Sequence, residues 1–125
     1  MKKIIYVWVL GSLFFILILS SCDFFKTKRA NVVLIRGIDV EVHTDLLDEY
    51  IEYLGRVKNI GDDKAENVKI TLNTFNMNNA RISVDTRYIA MFLEPGEQEG
   101  FELIVYCDVE QYDHYTYKIT WSEPD

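Results

Sequence analysis

From Asn31 onward, apolar and polar residues change places at nearly every second position, the period of a strand with one buried face. Val32 to Val42 begins as a continuous apolar run and ends in alternation, with Ile38, Val40 and Val42 set against Asp39, Glu41 and His43. Asp45 to Glu49 is a polar break. Tyr50 to Asn59 then places Ile51, Tyr53 and Val57 on one face and a half-apolar pair, Tyr50 and Leu54, on the other. Gly61-Asp62-Asp63 reads as a turn. Glu66 to Phe75 alternates cleanly, with Val68, Ile70 and Leu72 inward and Lys69, Thr71 and Asn73 outward. Asn76 to Asn79 is a second turn, and Ile82 and Val84 mark another strand. Pro95-Gly96 interrupts the chain before the strand Phe101 to Cys107. Asp108 to Asp113 reads as a loop, and Tyr115, Tyr117, Ile119 and Trp121 line one face of the last strand. No stretch past residue 30 keeps a 3.6-residue period over three turns. Six or seven strands, with turns about every 8–12 residues, predict an all-β fold, an antiparallel β-sandwich over residues 31–122.

The first 30 residues follow another pattern. Met1-Lys2-Lys3 is cationic, and Ile4 to Leu19 is apolar apart from Gly11, Ser12 and the Tyr6 hydroxyl. As a helix this stretch would be about 24 Å long, short of the roughly 20 residues that a full span prefers. A charged start, an apolar middle and small residues before a cut describe a secretory signal helix. Here the small residues lead into cysteine, as Leu19-Ser20-Ser21-Cys22. This resembles the lipobox of bacterial lipoproteins at all four positions. The resemblance implies a signal peptide over residues 1–21, cleavage between Ser21 and Cys22, and a lipid on the Cys22 thiol carrying acyl chains such as palmitate. Residues 22–30 become a lipidated tether. Each buried CH₂ contributes about 0.8 kcal/mol, so one chain holds weakly and two or three hold stably. The competing reading is an uncut anchor helix with Cys22 an ordinary residue beside the membrane. Asp23 resembles an inner-membrane retention signal in some Gram-negative lineages. Lys26, Lys28 and Arg29 sit either near headgroups or in a plain solvated linker. The expected location is the bacterial cell envelope, membrane-anchored and facing the periplasm or exterior.

Length and charge narrow the partners. A chain of 125 residues is enough for one domain. The formal charge is −7, and −9 for the part beyond residue 21. Coulomb repulsion then opposes binding to nucleic acid or to anionic headgroups, and the balance speaks for solubility rather than for any particular partner. With Cys22 acylated, Cys107 has no intramolecular partner. It lies in step with Phe101, Leu103 and Val105, as a buried core thiol would. A nucleophile or an intermolecular disulfide are the other readings, and no neighbour favours a depressed pKa.

Two stretches carry a further resemblance. One is Gly55-Arg56-Val57-Lys58-Asn59-Ile60-Gly61, continuing through Ala65-Glu66-Asn67-Val68-Lys69-Ile70. The other is Leu93-Glu94-Pro95-Gly96-Glu97, followed by Phe101. Together they are similar to FxLYD-type domains, immunoglobulin-like modules of bacterial envelope proteins, over residues 50–121. Where the family reads F-x-L-Y-D, this chain has Leu72-Asn73-Thr74-Phe75-Asn76. Gly55 would permit close backbone approach, Asn59 and Gly61 would suit a turn, and Pro95-Gly96 would complete another. The resemblance implies an immunoglobulin-like sandwich acting as an accessory or interaction module, with no catalytic residues to carry over.

Candidate chemistry is sparse. Asp108, Glu110, Asp113 and His114 offer ligands at a spacing that could hold Ca²⁺, without the glycine of a calcium loop; a solvated acidic loop is the plainer reading. His43 and His114 are far apart and lack further zinc ligands. Neither G-x-S-x-G nor H-E-x-x-H occurs, so no enzyme and no cofactor beyond the Cys22 lipid are expected. Ile104 and Tyr106 fall on the face opposite Phe101 and Leu103. Either another segment covers that face, or it is a docking surface. The expected role is a non-catalytic module that binds another envelope protein, the alternative a Ca²⁺ or glycan binder.

Overall fold

A computed structural model describes residues 27–124. The signal segment 1–21, the Ser21/Cys22 junction and the tether through Lys26 lie outside the described residues. Each alternating run forms a strand: β1 (Val32–Thr44), β2 (Glu49–Asn59), β3 (Ala65–Asn76), β4 (Arg81–Leu93), β5 (Gln98–Tyr106) and β6 (Tyr112–Ser122). They build two antiparallel three-stranded sheets, ordered β1-β2-β5 and β4-β3-β6. This is an all-β sandwich of six strands. Its strand order corresponds to A-B-E facing C′-C-F in an immunoglobulin arrangement.

The core lies between the central strands. Ile51, Tyr53 and Val57 of β2 and Val68, Ile70 and Leu72 of β3 are completely buried. Phe101, Leu103 and Val105 of β5 close one side of it. Glycine at position 55 is required by that packing, because a Cβ there would lie 2.5 Å from Cζ of the Phe101 ring. In β1, four residue steps from Ile35 to Asp39 oppose two steps in β2, from Arg56 to Leu54. Arg36 and Gly37, both at positive φ, form this bulge. Because two residues are added rather than one, Leu34 and Val40 keep the same core-facing parity.

Tyr53 joins the sheets. Its hydroxyl lies 2.8 Å from Thr74 Oγ1, and its ring meets Tyr115 edge-on at 5.4 Å. Burial pushes its pKa up to about 12, the Thr74 hydrogen bond opposing that rise. The stability this contributes is fully present below about pH 10, where the phenol is neutral in both states. It is lost as pH rises toward 12, because the unfolded chain ionises first. Urea unfolding should therefore weaken by roughly 2–3 kcal/mol across that window. Tyr53→Phe should flatten the slope, and an unchanged slope would contradict the assignment.

The two ends of the sandwich differ. At one end the incoming chain is strapped to the β2–β3 turn. Arg29 N donates to Asp62 Oδ1 at 2.7 Å, and Asp62 N donates back to the Arg29 carbonyl at 2.9 Å. Asn59, completely buried, is the hub of this end. Its Oδ1 accepts from Asn31 N (3.1 Å) and Gly61 N (3.0 Å), and its Nδ2 donates to the carbonyls of Asp63 (2.8 Å) and Leu93 (2.9 Å). Its backbone pairs with Gly96 and Glu97. The Asn59 and Pro95-Gly96 motifs, 36 positions apart, thus meet in space. The expected dihedral role of Asn59 and Gly61 gives way to a contact role, since neither has positive φ. The other end carries the β1–β2 hairpin, the β3–β4 hairpin and the β5–β6 connection.

One local expectation changes, and the two edge strands add detail to the others. The stretch Asp108 to Asp113 is not an open loop: Val109–Gln111 is a 3₁₀ turn, Asp113 belongs to β6, and Val109 is buried in the core. Tyr117 shares the core-facing side of β6 but is 46% exposed at the sheet's free edge, whereas Tyr115, Ile119 and Trp121 pack on the core. In β4 the register sets Ser83, Asp85 and Arg87 against Thr74, Leu72 and Ile70, so Val84 points outward beside Asn73. Inward charges on an edge strand oppose edge-to-edge pairing.

Candidate functional site

Strand register assembles one conspicuous surface, the outer face of the β1-β2-β5 sheet. Residues directly opposite across antiparallel strands point to the same side. His43, Tyr50 and Tyr106 therefore form one row, Glu41, Glu52 and Ile104 the next, and Asp39, Leu54 and Glu102 a third. His43 stacks on Tyr50 with ring centroids 4.4 Å apart and planes 13° from parallel. Tyr50 meets Tyr106 at 5.7 Å and 56°. Tyr106 is 71% exposed and Ile104 41%, so among the described residues nothing covers this face. Beside the aromatic row, the turn Asp45–Asp48 holds out Leu46 and Leu47, essentially fully exposed. Met77, at the tip of the β3–β4 hairpin, is exposed at the same end.

The electrostatics of this half-face are one-sided. Its three rows hold Asp39, Glu41, Glu52 and Glu102 and neither Lys nor Arg; Arg56 and Lys58 lie further along β2. Burial, and then the negative charges of Glu52 and Asp45, push the Tyr50 phenol above its ordinary range. Glu41 and Glu52 are direct cross-strand partners, an arrangement that repels. His43 stands between them, its Nε2 3.1 Å from Glu52 Oε2 and 3.5 Å from Glu41 Oε2. The outer face of the other sheet presents Lys69, Thr71, Thr116 and Lys118 instead. An acidic, aromatic platform with apolar tips suits a cationic or apolar partner.

The residues singled out in the sequence fall in several places. Ile104 and Tyr106 belong to the platform. Asp108 accepts from Glu110 N (3.2 Å) and Gln111 Nε2 (3.3 Å), so its carboxylate caps the 3₁₀ turn. Asp113 pairs with His114 Nδ1 at 2.8 Å, and His114 stacks on Phe75 at 4.9 Å. Among the described residues, ligand atoms of three His, Cys, Asp or Glu side chains come within 4.8 Å of one another at Glu41, His43 and Glu52, not at Asp108, Glu110 and Asp113. His43 and His114 lie on different sheets. Cys107 is a half-buried free thiol against the core, pushed up in pKa first by burial and then by Asp108, Glu49 and Asp85. Such a thiol is a poor nucleophile.

Sequence reading missed Glu52 and the leucine pair. Pairing His43 with Tyr50 across the Asp45–Asp48 turn would have set Glu41 opposite Glu52. The pair Leu46-Leu47 sits inside a break read only as polar. No family model and no curated protein matches the chain. Among solved structures, a DUF1425 family member from Shewanella sp. PV-4, determined at 1.81 Å, is similar over 77% of this chain and 81% of that one, with TM-score 0.43 and 8% identity. Identity this low leaves the functional reading with the chain's own residues.

Proposed function

We propose that this chain is a lipid-anchored protein of the bacterial envelope, and that its FxLYD-like sandwich binds another envelope protein through the end farthest from the membrane. Leu19-Ser20-Ser21-Cys22 supports the anchor. The chain joins the sandwich at Arg29–Asn31, so a tether from Cys22 enters at that end. β1 then runs alongside β2 to the opposite end, about 34 Å away.

The observation that carries the reading is the exposure of Leu46 and Leu47 at that far end, next to Tyr106. Exposed leucines beside the tether would suit contact with lipid. A body's length away they suit a protein partner. The surrounding carboxylates favour a partner segment bearing Lys or Arg, which could also stack on Tyr106. Rim charges of this kind act mainly on association rate and make binding sensitive to salt.

The anchor is tested by palmitate labelling and membrane fractionation of the native chain. The full-length protein should carry label and sediment with membranes. Cys22→Ser should lose the label, and an unacylated native N-terminus would overturn the anchor.

A further inference from the structure

We propose that Glu41, His43 and Glu52 form a divalent-metal site of the zinc type on the outer face of the first sheet. Strand geometry alone brings the three together. Glu41 and His43 are two positions apart in β1 and so share a face, and Glu52 is the direct partner of Glu41 in β2. The ligands therefore stand on a paired ladder rather than on a loop, which favours a fixed geometry.

The spacing fits. Zinc bonds of about 2.0–2.1 Å to nitrogen and oxygen in a tetrahedron imply ligand atoms about 3.3 Å apart. His43 Nε2 lies 3.1 Å from Glu52 Oε2 and 3.5 Å from Glu41 Oε2, and all three atoms fall within 4.8 Å of one another. Stacking on Tyr50 at 4.4 Å holds the imidazole plane in place. Charge fits as well. Two carboxylates face each other, and among the described residues their ion-pair contacts are with His43. A proton on His43 compensates one of the two charges. A divalent cation bound to neutral imidazole compensates both.

Ligand chemistry selects the class of ion. One imidazole nitrogen with two carboxylate oxygens suits zinc and its neighbours, whereas Ca²⁺ takes six to eight oxygens. Three protein ligands leave a fourth position open, as in zinc sites that keep a water. The Glu41 side chain is 58% exposed, so that position faces solvent. The site stands independently of any partner protein.

The test is calorimetric titration of the full-length chain in detergent with ZnCl₂. Wild type and the control His114→Gln should bind one zinc at the same site with equal affinity. His43→Gln and Glu52→Gln should each weaken it at least roughly 10-fold, the smaller end of losses seen even for outer ligand-sphere changes. In the wild-type NMR spectrum, zinc should shift the His43 ring resonances and leave those of His114 in place, a readout that needs no variant. Zinc binding unchanged in His43→Gln, or a His43 ring that does not respond, would overturn the site.

Discussion

Replacing Asn59 with leucine will cost the sandwich about 4–6 kcal/mol, most or all of the stability of a domain this small. Leucine has the same branched skeleton but is bulkier, so overpacking at this completely buried site adds to the loss. Asn59 uses all its side-chain hydrogen-bonding capacity, two bonds accepted and two donated. Removing it strands two amides and two carbonyls, each costing about 1–3 kcal/mol where water cannot replace the partner. Those four groups belong to the entering strap, the β2–β3 turn and the end of β4, so three segments loosen together. Asn59→Asp separates donors from acceptors. It retains the acceptors, loses both donors and faces a carboxylate toward two carbonyl oxygens. Its folded pKa would be raised, so the ionic part of its penalty should be absent below about pH 4 and grow as pH rises. Urea denaturation of both variants measures this. A loss under about 1 kcal/mol for Asn59→Leu would contradict the hub role.

Gly61→Ala should cost about 3 kcal/mol, for a steric reason. A Cβ at position 61 would lie 2.5 Å from the Asn31 amide nitrogen and 2.8 Å from the Ala30 carbonyl carbon. Both neighbours are backbone, as is the Arg29 carbonyl oxygen that the Cβ would also meet, and the strap is pinned on either side of Ala30. Asn31 N is bonded to Asn59, and the Arg29 carbonyl accepts from Asp62 and Asp63. The strap must lift as a unit, taking the Ile60 N to Asn31 carbonyl bond (2.8 Å) with it. Gly96→Ala is the contrast. There φ is +83°, but nothing lies within 4 Å of the added carbon, so the cost should be only that of a left-handed backbone, about 1 kcal/mol. Limited proteolysis at residues 29–31 should accelerate in Gly61→Ala and not in Gly96→Ala. Equal losses in the two would contradict the contact account.

Where one face of a strand is buried and the other wet, the alternation was readable directly. Ile51, Tyr53 and Val57, and Val68, Ile70 and Leu72, took the inward positions that the period assigns. β4 resisted because it is an edge strand that turns Asp85 and Arg87 inward, inverting the usual pattern. Val109 was hidden in an acidic stretch, because one buried side chain in a 3₁₀ turn has no period to reveal it. Ile104 and Tyr106 were legible as a non-core pair because strand parity decides that much. Their neighbours were not, because the platform is made by register. His43 meets Tyr50, and Tyr50 meets Tyr106, only after two pairings are set. The glycine and asparagine motifs were visible, but their purpose depended on a strap 28 residues upstream of Asn59.

The claim at the centre is that a protein tethered at one end is recognised at the other. Photo-crosslinking in intact cells tests it most directly, with a photoreactive residue replacing Leu47, Tyr106 or, on the opposite sheet, Lys118. The same envelope-protein adduct should form from positions 47 and 106 and be missing from 118. No adduct from either distal position, or equal adducts from all three, would contradict the account.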